Sequence, residues 1–156
     1  MEICWKRSAG TDKPTEIVDK FVLDTSALLT YIEDETGADQ IEDYLGLAIS
    51  GQIELLISTI SLIEIFYITL QEQSQLIANE RLQLLKVLPF GIVDVSQDAV
   101  ETIGGLKAIH RISFADACIA GMTVAQNATL VHKDPEFEQI KTLSQAALPY
   151  KTPTRE

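Results

Sequence analysis

Cysteine is scarce: the 156 residues contain two, Cys4 and Cys118. They lack metal-binding spacing and give no disulfide framework. Cys118 falls within an apolar helical stretch and reads as a core residue. Positive charge is scarce as well. Twelve Lys and Arg face 23 Asp and Glu, a formal net charge of −11. That balance opposes nonspecific binding to nucleic acid, which rests on basic surface. A nucleic-acid enzyme with this charge needs divalent cations, a local basic rim or a basic partner. A merely soluble surface accounts for the charge equally well. Long apolar runs are absent. The longest stretch, Ile53 to Leu70, is broken by Glu54, Ser58, Thr59, Ser61 and Glu64, so no membrane span is expected. No apolar block follows Lys6 and Arg7, which argues against a signal peptide and for a cytoplasmic protein. There is no internal repeat and no low-complexity tract.

What is present is apolar character: 46% of residues are hydrophobic, enough for one domain with a real core. Residues 1–19 are polar and irregular and read as a flexible N-terminal tail. A compact domain spans 20–150, and 151–156 form a C-terminal tail. Within the domain, strands are expected at 21–24, 53–58, 91–95 and 129–132, with an edge strand near Leu148 to Tyr150. Helices are expected at 26–33, 36–50, 62–73, 74–88, 96–110 and 113–126, and a short helical turn over 135–142. The Gly104-Gly105 pair weakens the fifth helix, and β-branched residues crowd the third. Strands alternating with helices imply an α/β fold whose central sheet is mainly parallel and covered on both faces.

Four acidic residues recur at strand-to-helix junctions. Asp24 ends the apolar run Phe21-Val22-Leu23 and precedes Thr25-Ser26. Glu64, Asp116 and Asp134 occupy similar places. Each has a plain reading as a helix cap. Asp24 can cap the helix after it. Ser61 to Glu64 and Ser113 to Asp116 have capping-box spacing, and Asp134-Pro135 matches an N-cap followed by proline. In a parallel sheet, however, helix starts gather along the carboxyl edge, where open α/β sheets place their ligands. Capping and clustering are therefore compatible. Glu64 lies among Ile60, Ile63, Ile65 and Phe66, and Asp116 among Phe114, Ala117 and Cys118. Carboxylates among apolar neighbours are costly unless paired or metal-bound, and several together repel one another. The basic supply nearby is thin: Lys107, Arg111 and Lys133. Oxygen ligands without thiolate or clustered histidine suit Mg²⁺ or Mn²⁺. Such sites are common equipment for phosphodiester hydrolysis.

The segment Phe21 to Leu28 resembles the opening strand and turn of PIN-domain ribonucleases. Ile57-Ser58-Thr59 through Leu62-Ile63-Glu64-Ile65 resembles their second motif. Ile112-Ser113-Phe114-Ala115-Asp116-Ala117-Cys118-Ile119-Ala120 is similar to the third and the most specific. Ala128 to Phe137 resembles the fourth. The compact size is similar to that of VapC-type toxins of bacterial toxin–antitoxin pairs. The resemblance implies a PIN-like three-layer α/β/α sandwich and an Mg²⁺- or Mn²⁺-dependent endoribonuclease. It implies that Asp24, Glu64, Asp116 and Asp134 hold the metal and are the catalytic residues. Thr25, Ser26 and His132 would orient them, and Arg111 and Lys133 would meet RNA phosphates. Two positions depart from the family pattern. His132 stands where a hydroxyl residue is common, and Arg111 where a small residue is.

Leu62 to Leu88 carries more apolar residues than one buried stripe needs, so a homodimer face is expected. In the resembled toxins the same helical pair grips an antitoxin. His132 reads as a phosphate contact, a proton carrier or a hydrogen-bonded structural residue, and His110 as a surface residue at a helix end. Two other functions fit the carboxylates: phosphotransfer or phosphatase-like chemistry with Asp24 as acceptor, and a non-catalytic PIN-fold interaction module.

Overall fold

The computed structural model describes residues 17–151. Cys4, most of the expected N-terminal tail and all of the expected C-terminal tail but Lys151 lie outside the described residues. Five strands form one sheet: β1 (Asp19–Leu23), β2 (Ile53–Ser58), β3 (Gly91–Val93), β4 (Thr129–His132) and β5 (Gln145–Ala147). Their order is β3-β2-β1-β4-β5, and every neighbouring pair is parallel. The helices among the described residues are α1 (Thr25–Ile32), α2 (Ala38–Ile49), α3 (Thr59–Glu72), α4 (Gln75–Val87), α5 (Val100–Ile109) and α6 (Phe114–Ala125). None of them is long and apolar enough to cross a membrane.

Successive residues of a strand face opposite sides, and here both sides are apolar. Val22, Leu56 and Leu130 pack against Ile103 and Leu106 of α5 and Ile119 and Met122 of α6. Leu23, Leu55, Ile57 and Val131 face the other way. They meet Leu28 of α1, Ile41 and Leu45 of α2, Ile65 of α3 and Leu85 of α4. The result is the expected α/β/α sandwich, with the strands buried on both faces as a parallel sheet requires. Gly104 and Gly105 do not interrupt α5. The glycine that matters there is Gly121 of α6, where an added Cβ would collide with the Ile103 side chain and come within 3.3 Å of its Cα.

Two expectations are corrected. The edge strand lies at Gln145–Ala147, not near Leu148 to Tyr150. Its pairing with β4 runs through the backbone of small residues, Val131 opposite Ala146 and His132 opposite Ala147. Leu148 instead buries its side chain in the core, and its N–H donates to the His132 carbonyl at 2.7 Å. The third helix starts at Thr59 rather than Leu62, capped by Ser58, which accepts from the Ile60 N–H at 3.1 Å. Strand β2 thus runs directly into α3, and Ser61 sits buried in its first turn. A boundary also moves: β1 opens at Asp19, inside the span expected to be tail.

The chain builds outward from β1 through β2 to β3, then returns across to β4 and β5. The reversal falls between β1 and β4, and the carboxyl ends flanking that point are where doubly wound sheets bind ligands.

Candidate metal centre

Asp24 directly follows β1 and caps α1. Its N–H donates to the Val131 carbonyl of β4 at 3.1 Å, fixing it at the reversal point. Its Oδ1 accepts from the Ala27 N–H at 2.9 Å, and Ser26 Oγ lies 2.8 Å from each carboxylate oxygen. The residue is 2% exposed. Burial pushes its carboxyl from 3.8 up to about 7. The hydrogen bonds from Ala27 and Ser26 pull the other way, and the Asp116 charge adds to the rise.

Glu64 projects from α3, one turn beyond its start. Thr25 Oγ1 lies 2.7 Å from Glu64 Oε1 and 3.1 Å from Ser61 Oγ. Ser61 therefore faces Thr25, and the expected capping box with Glu64 is not formed. Burial lifts the Glu64 carboxyl above its ordinary range, opposed by Thr25 and helped by Asp116. Asp116 stands in the first turn of α6, half-buried. Its own N–H is capped by Ser113 Oγ at 3.0 Å. Burial raises its carboxyl too. The Ser113 hydrogen bond opposes that rise, and the Asp134 charge reinforces it. Asp116 is thus the common neighbour, felt by both Asp24 and Glu64 and itself feeling Asp134.

Asp134 caps a 3-10 turn, Pro135–Gln139, with Oδ1 accepting from the Glu136 N–H at 2.9 Å. That turn brings in a residue not singled out from the sequence. Asp116, Asp134 and Glu136 each offer a carboxylate oxygen within 4.8 Å of the others. Glu136 lies two residues past a predicted ligand at a proline-started turn, and that spacing is the signal available for it. Asp24 and Glu64 stand outside this trio and connect to it through Asp116.

His132 is fully buried. Its Nδ1 accepts from the Asp134 N–H at 3.2 Å, and its Nε2 lies 2.9 Å from Gln145 Oε1. Gln145 Nε2 donates to the carbonyls of Phe137 and Ile140, which fixes the amide so that Oε1 faces the ring. The imidazole therefore accepts at Nδ1 and donates at Nε2, the neutral form. Burial lowers its pKa, in agreement. Gln145 had no sequence signal at all.

The two expected phosphate contacts differ in their surroundings. The Lys133 amine lies 3.2 Å from Glu35 Oε2 and 2.7 Å from the Thr36 carbonyl, with the side chain only 6% exposed. Its N–H donates to Ser26 Oγ at 2.9 Å, so the residue supports Asp24 through its backbone. Arg111 is exposed. Its N–H donates to Gln139 Oε1 at 3.0 Å, and its carbonyl accepts from Gln139 Nε2 at 3.3 Å, which clips the loop before α6 to the 3-10 turn.

The donor set is all carboxylate. Its most buried member carries a proton affinity that only low polarity and like charge produce. A hard divalent cation fits such a set, and thiolate-seeking metals do not. Asp116, Asp134 and Glu136, with Asp24 and Glu64 behind them, are the residues that could hold one.

The family described as PIN domain matches residues 21–143. No curated protein matches at the sequence level. Among solved structures, VapBC2 from Rickettsia felis bound to a promoter DNA fragment is similar at a TM-score of 0.70 and 22% identity, covering 83% of this chain and 99% of that one. DNA-bound VapBC from Salmonella typhimurium is similar at 0.68 and 23% identity, with 83% and 98% covered. Mycobacterium tuberculosis VapC20, described as a sarcin–ricin loop cleaving toxin, is similar at 0.59 and 15% identity, with 78% and 95% covered. At these identities the likeness is one of fold.

Proposed function

The chain belongs to the PIN-domain family, and we propose that it is a divalent-metal-dependent endoribonuclease, the VapC-type toxin of a toxin–antitoxin pair. The observation that carries this reading is Asp24, buried to 2% exposure at the sheet reversal and pushed up to about 7. A carboxylate held in that state without a cation works against the fold. Mg²⁺ or Mn²⁺ bound by the carboxylates supplies Lewis-acid charge and lowers the pKa of water for attack on phosphorus.

The chain's own residues have defined parts in this reading. Asp24, Glu64, Asp116 and Asp134 hold the ion, and Glu136 joins them. Ser26 orients Asp24 and Thr25 orients Glu64, each through a direct hydrogen bond. Arg111, exposed beside the first turn of α6, meets a phosphate of the RNA. The Lys133 ammonium is engaged with Glu35 and serves instead to hold the β4 end against the loop that follows α1. The same engagement weighs against phosphotransfer at Asp24, for which an ammonium beside the acceptor would be needed.

An antitoxin has a place to bind. Leu62, Ile63, Phe66 and Tyr67 of α3 and Leu82 and Lys86 of α4 line an apolar groove of about 360 Å³. Ile63 is 55% exposed and Tyr67 43%. A groove of this kind takes the apolar face of a partner helix. Structural neighbours that are VapBC assemblies support a protein partner, and the groove is the surface we assign to it. A homodimer would use the remaining apolar surface of the same helical pair.

The test is cleavage of a mixed RNA substrate with Mn²⁺ and with EDTA, by the wild type and by Asp116→Asn. Cleavage should require the ion and vanish in the variant while its circular dichroism is unchanged. Cleavage in EDTA, or full activity in Asp116→Asn, would refute the proposal.

A further inference from the structure

A cavity of about 430 Å³ opens beside the carboxylates on the α1 side. It shares Ser26 with the Asp24 carboxylate and Pro135 with the turn that carries Asp134 and Glu136. Its volume lies in the ordinary range for small-ligand sites.

The walls are of two kinds. Leu29, Pro135 and Tyr150 provide apolar surface, while Lys133, Lys151 and Glu35 provide a polar edge. The Tyr150 wall is tied down on three sides. Its hydroxyl donates to Glu138 Oε1 at 2.8 Å, Leu148 is anchored on His132, and Lys151 Nζ lies 2.9 Å from Glu35 Oε1. Lys133 approaches the same carboxylate from the other side at 3.2 Å. The two ammonium groups, Lys151 foremost, hold Glu35 below the usual carboxylate range, so it is ionised. Glu33, also on the wall, is paired with Arg81 at 3.3 Å. Lys133 and Lys151 thus converge on the single carboxylate of Glu35, which fixes this edge of the cavity.

We propose that this cavity binds one nucleoside of an RNA strand, next to the phosphate held at the carboxylates, with Tyr150 as its stacking surface. The proposal rests on the nuclease reading for the identity of the strand and adds where the nucleoside beside that phosphate sits. A nucleobase has two apolar faces and a polar edge, and the cavity offers both kinds of wall. Stacking on an aromatic ring contributes in a way that every base can use.

The experiment is an NMR titration of the full chain with each of the four 5′-ribonucleoside monophosphates in buffer containing EDTA, which excludes both metal and cleavage. At least one nucleotide should shift the amides of Leu29, Thr30, Lys133 and Tyr150, with saturation in the millimolar range. Tyr150→Ala should weaken that binding by about tenfold, the lower part of what one stacked base contributes. Tyr150→Phe, which keeps the ring, should bind like the wild type. Absence of shifts at the cavity up to about 10 mM nucleotide, a free-energy scale of roughly −3 kcal/mol, would overturn the proposal. So would binding indifferent to Tyr150→Ala. The two readings fail separately: nucleotide binding by a chain that cleaves nothing keeps the cavity and removes the nuclease. RNA cleavage with kcat/KM unchanged in Tyr150→Ala does the reverse.

Discussion

Replacing Asp24 with Asn should stabilise the metal-free protein and remove its response to divalent cations. Asn keeps the shape of the side chain and an oxygen that can accept from Ala27 and Ser26, so the cap of α1 survives. What it removes is the cost of an ionised carboxylate at 2% exposure. In the folded protein Asp24 titrates near 7, against 3.8 ordinarily. Between those two values the folded chain holds a proton that the unfolded chain has lost. Wild-type stability therefore falls as pH rises through that window, by up to about 1.4 kcal/mol per pH unit. The accumulated penalty above pH 7 is about 4 kcal/mol. Glu64 and Asp116, also raised, work in the same direction, and His132, lowered, works in the opposite one. All three are present in both proteins and largely cancel in the difference. Urea unfolding in EDTA should find the variant and the wild type equal near pH 4. The variant should gain steadily to about 4 kcal/mol near pH 8, or about 10 °C in Tm for a chain of this size. Added Mn²⁺ at a hundredfold excess over its Kd should raise the wild type by about 2.7 kcal/mol and the variant far less. A variant less stable than the wild type at pH 8, or a difference that ignores pH, would refute the reasoning.

Three further outcomes follow from particular contacts. Gly121→Ala should lower stability by about 1–3 kcal/mol, because α5 and α6 must separate to admit a methyl group against Ile103; an unchanged melting curve would count against the observed packing. His132→Leu should reduce Mn²⁺ affinity by about 10–100-fold in calorimetry, since the Asp134 N–H loses its acceptor. His132→Asn, which restores an oxygen near the Nδ1 position, should recover part of it, and identical affinities in the two variants would refute a positioning role. Ser26→Ala removes the hydroxyl that links Asp24 to the Lys133 N–H. It should weaken Mn²⁺ binding by a similar factor with little change in fold, which calorimetry and circular dichroism together will show.

The interior strands were legible because parallel strands buried on both faces are written as unbroken apolar runs. Leu55-Leu56-Ile57 and Leu130-Val131 are such runs, and the observed bounds of β2 and β4 match them. The edge strand was not, since Gln145-Ala146-Ala147 pairs by backbone alone while apolar Leu148 next to it goes to the core. Caps were legible where the capping residue precedes a helix by sequence, as with Ser113 and Asp134. Ser61 misled because its spacing to Glu64 fits a capping box while its hydroxyl faces Thr25, 36 positions away. The supports of the site are of this long-range kind. The Ser26 to Lys133 hydrogen bond spans 107 positions, and no local pattern encodes it. Asp24 and Asp134 show in the sequence because each also caps its own helix start; the residues that aim them serve only the assembled sheet.

That double service bears on why so many acids tolerate one another here. The N-termini of α1 and α6 and of the 3-10 turn all open toward the carboxyl edge, and each helix start carries partial positive charge. Asp24 and Asp134 spend an oxygen on a backbone N–H of those starts. Such contacts favour the ionised forms and lower the cost of gathering the group. They do not remove it. Asp24, Glu64 and Asp116 are all raised despite their hydrogen bonds, with burial the largest cause in each and neighbouring carboxylates adding to it. Helix starts are fixed partial charges and have already been used. What remains can be relieved only by a proton or by a cation from solution. Near neutral pH the proton is leaving Asp24, and in the function proposed above the residual strain becomes affinity for a divalent ion. Loss of one carboxylate should then cost ion binding more than it costs the fold.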